Sequence, residues 1–522
     1  MRAWEEISLT LSATADHPSP YAAIDVWATF SHDDGTVLRR PAFHDGGRTW
    51  RVRFASPVAH GTWHWQTSAN VPDPGLHSGG AFEGGAFEGG AFEGGAGESA
   101  NPFRRHGFWR MSPGGRSLVH ADGTPALLVA DTAWALPWRA TEDEVLEYAR
   151  DRAAKGFNAV LLMSMQPDMR ATGPRDRSAD EGFDVAFEDL PSGRLTQPNY
   201  AYFQYLDRLL AILVDHRIVP VLQPVFQGFG WKGLDVAGTV APPAEYARYC
   251  RYLVARYGAR PLVYLVGADG AGTEPQIEAG GREIHEADCY GQPTGIHYRP
   301  HARATAHQSA PWLDFQWCQT GHGGEHVPER VADMARDTPV KAVANGEPTY
   351  ERTGGPDVAT GWWQGHEAWS NLCAGGAMGV VYGAANIWQW VHRDGEPGHA
   401  PYFLVPGGGW REALHAEGST YVGLVGRILA GLPTTDMQPD WETFIAPRAL
   451  SVPGKLHIIY QESGGWLPMM QERGTPSAYR IVDPRTGDVL ATGRLRPGET
   501  LEADPARRPR VIIFQDGEPP RS

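Results

Sequence analysis

The sequence predicts a multidomain protein: a central (β/α)8 TIM barrel flanked by N-terminal and C-terminal β-sandwich domains. Three observations lead there. Between about residues 101 and 435, short apolar runs alternate with helical stretches eight times, the number of βα units that closes such a barrel. The segments on either side carry short strand-like runs broken by turn residues. A glycine-rich repeat of little apolar content separates the first two parts. The expected domains are 1–78, a sandwich; 79–100, a GGAFE repeat linker; 101–435, the barrel; and 436–522, a second sandwich.

The elements follow in chain order. Ile7, Leu9 and Leu11, then Ile24, Val26, Ala28 and Phe30, then Trp50, Val52 and Phe54 lean toward period two, with turns at 32–35 and 45–47. The segment 79–95 repeats GGAFE three times, too short for a solenoid and too polar for a core, so it reads as a flexible linker. The first barrel strand is expected at 126–134. Thr141 and Glu144 then form a capping box ahead of a helix that stops at Gly156. Further strands are expected at 157–163, 217–226, 261–267, 294–298, 313–318, 340–345 and 379–383. A doubly wound open sheet is the competing fold, but the turn after strand one has no phosphate-cradling glycines. Runs at 441–444, 456–460, 478–482 and 510–514 make the last sandwich.

Composition removes several classes. Lys and Arg number 46 against 61 Asp and Glu, a net charge of −15, with no basic run suited to nucleic acid or an anionic membrane. No stretch approaches about 18 apolar residues, and residues 1–9 do not resemble a secretory signal. Four cysteines stand without paired spacing, against both a disulfide framework and a zinc ribbon. A cytoplasmic location is the expectation, with no cofactor and no metal. Homo-oligomerisation is left open.

In a barrel of this kind the chemistry sits where strands end. The candidates there are Asp131 and Trp134 after strand one, Gln166 after two, Gln223 and Gln227 after three, and Asp269 after four. His297 and Tyr298 end strand five, Gln316, Gln319 and His322 lie at strand six, Glu347 follows seven, and Asn386, Trp388 and Trp390 follow eight. Asp269 and Glu347 each follow an apolar strand beside a glycine, on strands that lie nearly opposite. One acid to protonate a leaving oxygen and one carboxylate to attack across the ring is what glycosidic cleavage requires. Trp134, Trp388 and Trp390 can wall sugar rings; Asp131, Gln166, His297 and Gln319 can bind hydroxyls. The competing readings are helix capping or pairing with arginine for Asp269 and Glu347, helix capping for Asp131, ordinary hydrogen-bonded core for Gln166, His297 and Gln319, and core packing for Trp134 and Trp388. A metal is not favoured: HEADC at 285–289 lacks the second histidine, and Gly323-Gly324 interrupts the spacing of His322 and His326. No G-x-S-x-G elbow is present.

The motifs HADGTP (120–125), ADTAW (130–134), RAAKGFN (152–158), VGAD (266–269), NGEPTYE (345–351) and YRIVDPRTG (479–487) give nearly the whole chain a resemblance to a family. The layout is similar to bacterial proteins that join an N-terminal sandwich, an apiosidase-like barrel of glycoside hydrolase family 140 and a C-terminal sandwich of the kind called collagen-binding. The resemblance implies a retaining, exo-acting hydrolase of a β-linked pentofuranoside such as an apioside, with Asp269 as acid/base and Glu347 as nucleophile. Ala268 stands where many retaining barrels carry Asn, so a contact to the sugar 2-hydroxyl must come from elsewhere. A glycosidase for an arabinofuranoside, galactoside or glucoside, and a non-catalytic carbohydrate-binding protein, are the alternatives. The expected partner is an oligosaccharide or glycoside.

Overall fold

The computed structural model describes residues 2–83, 101–170, 185–228, 235–300, 302–322, 328–353, 359–394, 407–441, 443, 448–468 and 478–515. At its centre eight parallel strands form one sheet: β1 (Leu128–Thr132), β2 (Ala159–Met163), β3 (Val219–Gln223), β4 (Val263–Gly270), β5 (Thr294–Tyr298), β6 (Phe315–Gln319), β7 (Ala342–Glu347) and β8 (Gly379–Val381). Their order in the sheet is β7-β6-β5-β4-β3-β2-β1-β8. The seam between β7 and β8 is bridged by the Met378 N–H, which donates to the Val343 carbonyl at 3.2 Å. All residues of these strands are buried, as expected where a parallel sheet is covered on both faces.

The main helices of the outer ring are α1 (Glu142–Lys155), α2 (Tyr200–Asp215), α3 (Pro243–Tyr257), α4 (Pro275–Ala287), α5 (Glu329–Ala335), α6 (Trp362–Cys373) and α7 (Glu417–Leu429). The capping box forms as the sequence predicts: the Glu144 N–H donates to Thr141 Oγ1 at 3.2 Å and the Thr141 N–H to Glu144 Oε2 at 3.0 Å. Gly156 ends α1 in the left-handed region, φ +101°, which glycine adopts without a Cβ penalty.

Three boundaries differ from expectation in ways that matter. β4 and β7 run on to Gly270 and Glu347, so Asp269 and Glu347 belong to the strands and not to the loops beyond them. The polar and aromatic run after strand eight lies partly on a short helix, Ala385–Trp388. The third concerns the repeat: its first GGAFE unit, Gly79–Glu83, is an edge strand paired antiparallel with Thr62–Ala69. Phe82 is buried against Phe30 and Phe54 in the sandwich core. The linker therefore cannot begin at 79, because an apolar ring every fifth residue suffices to anchor one short strand; the later units lie outside the described residues.

The N-terminal part holds a three-stranded and a four-stranded antiparallel sheet around Phe30, Phe54 and Trp63. It is joined to the barrel by buried charge. Arg256 of α3 is fully buried and donates to both oxygens of Asp207 on α2, at 2.8 and 2.7 Å, and to Asp45 of the sandwich at 2.9 Å. Arg53 of the sandwich donates to the same Asp207 at 3.2 and 2.6 Å. Burial opposes the ionised form of Asp207, but these two guanidinium groups outweigh it and hold the carboxyl far below its usual range. The C-terminal part is a six-stranded antiparallel sheet with a two-stranded one, and Tyr460 meets His366 of α6 at 2.9 Å. Among the described residues no helix is long and apolar enough to cross a membrane.

Candidate active site

Asp269, His297 and Glu347 come together at the carboxyl ends of β4, β5 and β7. All three are buried, and one ligand atom from each lies within 4.8 Å of the others. The backbone explains how Asp269 arrives there. The pairing of β4 with β5 slips between Leu265 and Gly267 and again between Ala268 and Gly270, and Asp269 sits in the second irregularity with φ +59°. Irregularities of this kind re-aim a side chain. A non-glycine residue in the left-handed region costs free energy and recurs at functional sites, with aspartate among the types that tolerate it. Gln227 steadies the place: its Oε1 accepts from the Ala268 N–H at 3.1 Å, while its Nε2 donates to Tyr246 at 3.0 Å.

Glu347 ends β7, and β6 slips against β7 so that Gln319 faces it. His322 Nε2 lies 2.9 Å from Glu347 Oε1. The other oxygen, Oε2, has no hydrogen-bond partner among the described residues and faces His297 Nε2 at 3.7 Å. Burial alone would raise the Glu347 carboxyl. The His322 hydrogen bond and charge, with a smaller contribution from His297, outweigh burial and leave it below the ordinary glutamate range. His297 behaves oppositely: complete burial lowers its imidazole to about 4, so it is neutral near pH 7. Neither of its ring nitrogens has a hydrogen-bond partner among the described residues.

Around this centre, Trp134 is buried with its ring 6.4 Å from His297 and inclined 29° to it. Gln166 is buried; its Oε1 accepts from the Ala186 N–H at 3.2 Å, while its Nε2 has no partner among the described residues. Gln319 Oε1 is likewise unpartnered. Trp388 is half-buried, its ring 6.4 Å from that of Tyr350.

The structure corrects some expectations. Asp131 does not reach the centre. Its Oδ2 accepts from Arg152 Nε at 2.6 Å and from the Tyr148 hydroxyl at 2.9 Å, both on α1, and its Oδ1 from the Thr132 N–H at 2.7 Å. It pins a helix to the barrel wall, and both oxygens are taken up. Trp390 is fully buried and stacks on Trp410 at 4.5 Å, so it packs the core. Asn386 holds the Gly407 and Gly408 carbonyls, and Gln316 pairs with Gln308 and Tyr298. His326 lies outside the described residues.

Sequence did not place either of two residues beside Glu347. His322 stands there among the strand-six candidates and in the disfavoured metal pair, yet it is the partner of Glu347. Tyr350, three residues beyond Glu347, is buried and stacks on His322 at 4.1 Å; burial and the Glu347 charge push its phenol up. Its place in the loop after strand seven was the available signal. Glu367 of α6 lies behind the site. Its Oε1 accepts from the Thr320 hydroxyl at 3.3 Å and its Oε2 from the Thr349 N–H at 3.1 Å, and burial pushes it up to about 7.

Residues 112–436 match the model of the apiosidase-like catalytic domain, and residues 1–70 match that of DUF5060, a domain of unknown function. The chain is similar in fold to a putative glycoside hydrolase from Bacteroides vulgatus, with 16% identity over 98% of this chain and 99% of that one and a TM-score of 0.68. It is also similar to a family 5 glycoside hydrolase from the same organism, with 20% identity over 80% and 94% of the two chains and a TM-score of 0.67. None of the curated proteins matches it.

Proposed function

The chain belongs to the apiosidase-like family and is a glycoside hydrolase, and on that premise we propose that it cleaves its substrate with retention, using Glu347 as nucleophile and Asp269 as acid/base. The carrying observation is the separation of these carboxylates, at most 4.8 Å between their nearest oxygens. Retaining enzymes hold the pair about 5–5.5 Å apart, whereas inverting enzymes open it to about 6.5–9.5 Å to admit a water.

In this reading Asp269 gives its proton to the glycosidic oxygen as the bond to the anomeric carbon breaks. Glu347, kept ionised by His322, forms the ester to that carbon. Water then attacks the anomeric carbon as its bond to the Glu347 oxygen breaks; Asp269 takes the water's proton, and Glu347 leaves as carboxylate. His297, Gln166 and Gln319 offer neutral polar atoms to sugar hydroxyls, and Trp134 and Trp388 offer rings. With Ala268 preceding the acid, these neutral groups are the ones available for a 2-hydroxyl. The proposed substrate is a β-linked pentofuranoside such as an apioside, cleaved from a chain end.

A panel of aryl β-glycosides (apioside, arabinofuranoside, galactoside, glucoside) tests the substrate, and the anomer first released, observed by NMR, tests the mechanism. Retention with apioside preferred is expected. Inversion would overturn the roles given to the two carboxylates, and preference for another sugar would overturn the apioside assignment. With Glu347→Ala, azide should restore turnover and give the glycosyl azide of inverted configuration.

A further inference from the structure

The centre holds a set of donors that suits more than a sugar. His297 is fully buried and carries two ring nitrogens without hydrogen-bond partners among the described residues. Beside it are Glu347 Oε2, also unpartnered, at 3.7 Å, and an oxygen of Asp269 within 4.8 Å of both. Among the described residues, the basic side chains within 4 Å of the Glu347 carboxylate are those of His297 and His322. From this geometry we infer that Asp269, His297 and Glu347 form a chelating site for a borderline-soft dication such as Zn²⁺, occupied in competition with the sugar.

The donor types favour that ion. One imidazole and two carboxylates in a compact triangle are zinc-like ligands, leaving the fourth position open. Mg²⁺ demands near-octahedral oxygen ligands and keeps its waters, which a buried imidazole opposes. Zinc–ligand bonds of roughly 2.0–2.2 Å put tetrahedral ligand atoms about 3.4 Å apart. The His297–Glu347 edge, at 3.7 Å, is close to that already; Asp269 must draw in, by up to ~1.4 Å if its oxygens lie at the outer limit. His322, bonded to Glu347 Oε1, would hold that carboxylate in orientation while its other oxygen meets the ion, as outer partners do at metal sites. The required contraction makes this a weaker site than a dedicated one, suited to reversible inhibition. Binding of the ion stands on the geometry alone; inhibition rests on the glycosidase reading.

The experiment uses the full chain, stripped with chelator, and titrates Co²⁺ by visible absorption and Zn²⁺ by calorimetry. One ion per chain is expected, with an intense four-coordinate Co²⁺ band that Zn²⁺ abolishes and Mg²⁺ does not. His297→Asn should weaken Zn²⁺ binding at least tenfold, and Asp269→Asn, the second variant should the first not fold, should do likewise; His64→Ala, on the sandwich surface, should bind as the wild type does. With active enzyme, Zn²⁺ should raise KM and leave kcat unchanged. Absence of the band, or Zn²⁺ affinity unmoved in both variants, would overturn the inference. Zn²⁺ bound at these residues in a protein that hydrolyses no glycoside would overturn the proposed function and leave this site standing.

Discussion

Asp131 and Asp269 are both buried aspartates near the carboxyl ends of parallel strands in one barrel, on its first and fourth strands. Asp131 sits in β1 where the pairing with β2 is regular, and its carboxylate meets Arg152 and Tyr148 on α1. Asp269 sits where the register of β4 slips and the backbone turns left-handed, and its carboxylate meets Glu347 and His297. In a strand, side chains alternate between the two faces. A single irregularity is enough to move one from the helix-facing side toward the mouth. Residue type and strand position therefore do not separate the aspartate that pins a helix from the one proposed for chemistry; local register does.

The sharpest test of that comparison is reciprocal. Asp269→Ala should lower kcat/KM by about 10²–10⁴-fold, the range for losing a general acid–base group, while thermal unfolding stays near that of the wild type. Asp131→Ala should do the reverse. It leaves buried Arg152 with Asp151 as its remaining carboxylate, at a cost up to about 3–5 kcal/mol, and the soluble fraction should keep kcat. Equal losses of activity in the two variants, measured per folded molecule, would erase the distinction. Pairing Asp131→Ala with Arg152→Met should return a large part of the lost stability, since a buried ion pair replaced by apolar side chains is often neutral; denaturant titration reads this out.

A smaller effect is expected at His322. With His322→Phe the ring can still stack on Tyr350, but the hydrogen bond and charge that offset burial at Glu347 are gone. The Glu347 carboxyl should rise, and the acid limb of the kcat/KM profile should move to higher pH. An unmoved acid limb would mean that another group sets it. The smallest effect concerns Glu367, a buried carboxyl of the structural kind. Its folded value, about 7, lies above the unfolded one. Its contribution to stability is therefore present below about pH 4.3 and is lost as the pH rises through 7. Glu367→Gln cannot titrate, so Tm should fall less between pH 5 and 8 than in the wild type. Parallel Tm profiles would show that Glu367 is not the titrating group.

The barrel was legible because its signals are local and repeated: apolar runs, the Thr141 capping box and Gly156 all act within a few residues. That Asp269 and Glu347 lie near strand ends was legible for the same reason, each closing an apolar run beside glycine. Asp131 misled because its partner Arg152 lies 21 residues on, and nothing in a linear pattern states which face a strand residue takes. Trp390 misled likewise, since Trp410, on which it stacks, comes from a short helix later in the chain, Trp410–Leu414. His322 was visible as a histidine but not as the partner of Glu347, because the slip between β6 and β7 that aligns them is a property of the pairing. The first GGAFE unit hid its strand behind its glycines; only Phe82, meeting a core built from distant strands, reveals it.

The arginine cluster between sandwich and barrel bears on how such proteins can be cut and recombined. A fragment starting at residue 101 would keep Arg256 and Asp207 but lose Asp45 and Arg53, uncovering helix faces that the β-structure covers in the whole chain. The sandwich is therefore not cargo that a gene rearrangement can drop or trade freely. A replacement would have to arrive with its own aspartate for Arg256 and its own arginine for Asp207, so the boundary that looks like a seam in the sequence is, for inheritance, the middle of a single piece.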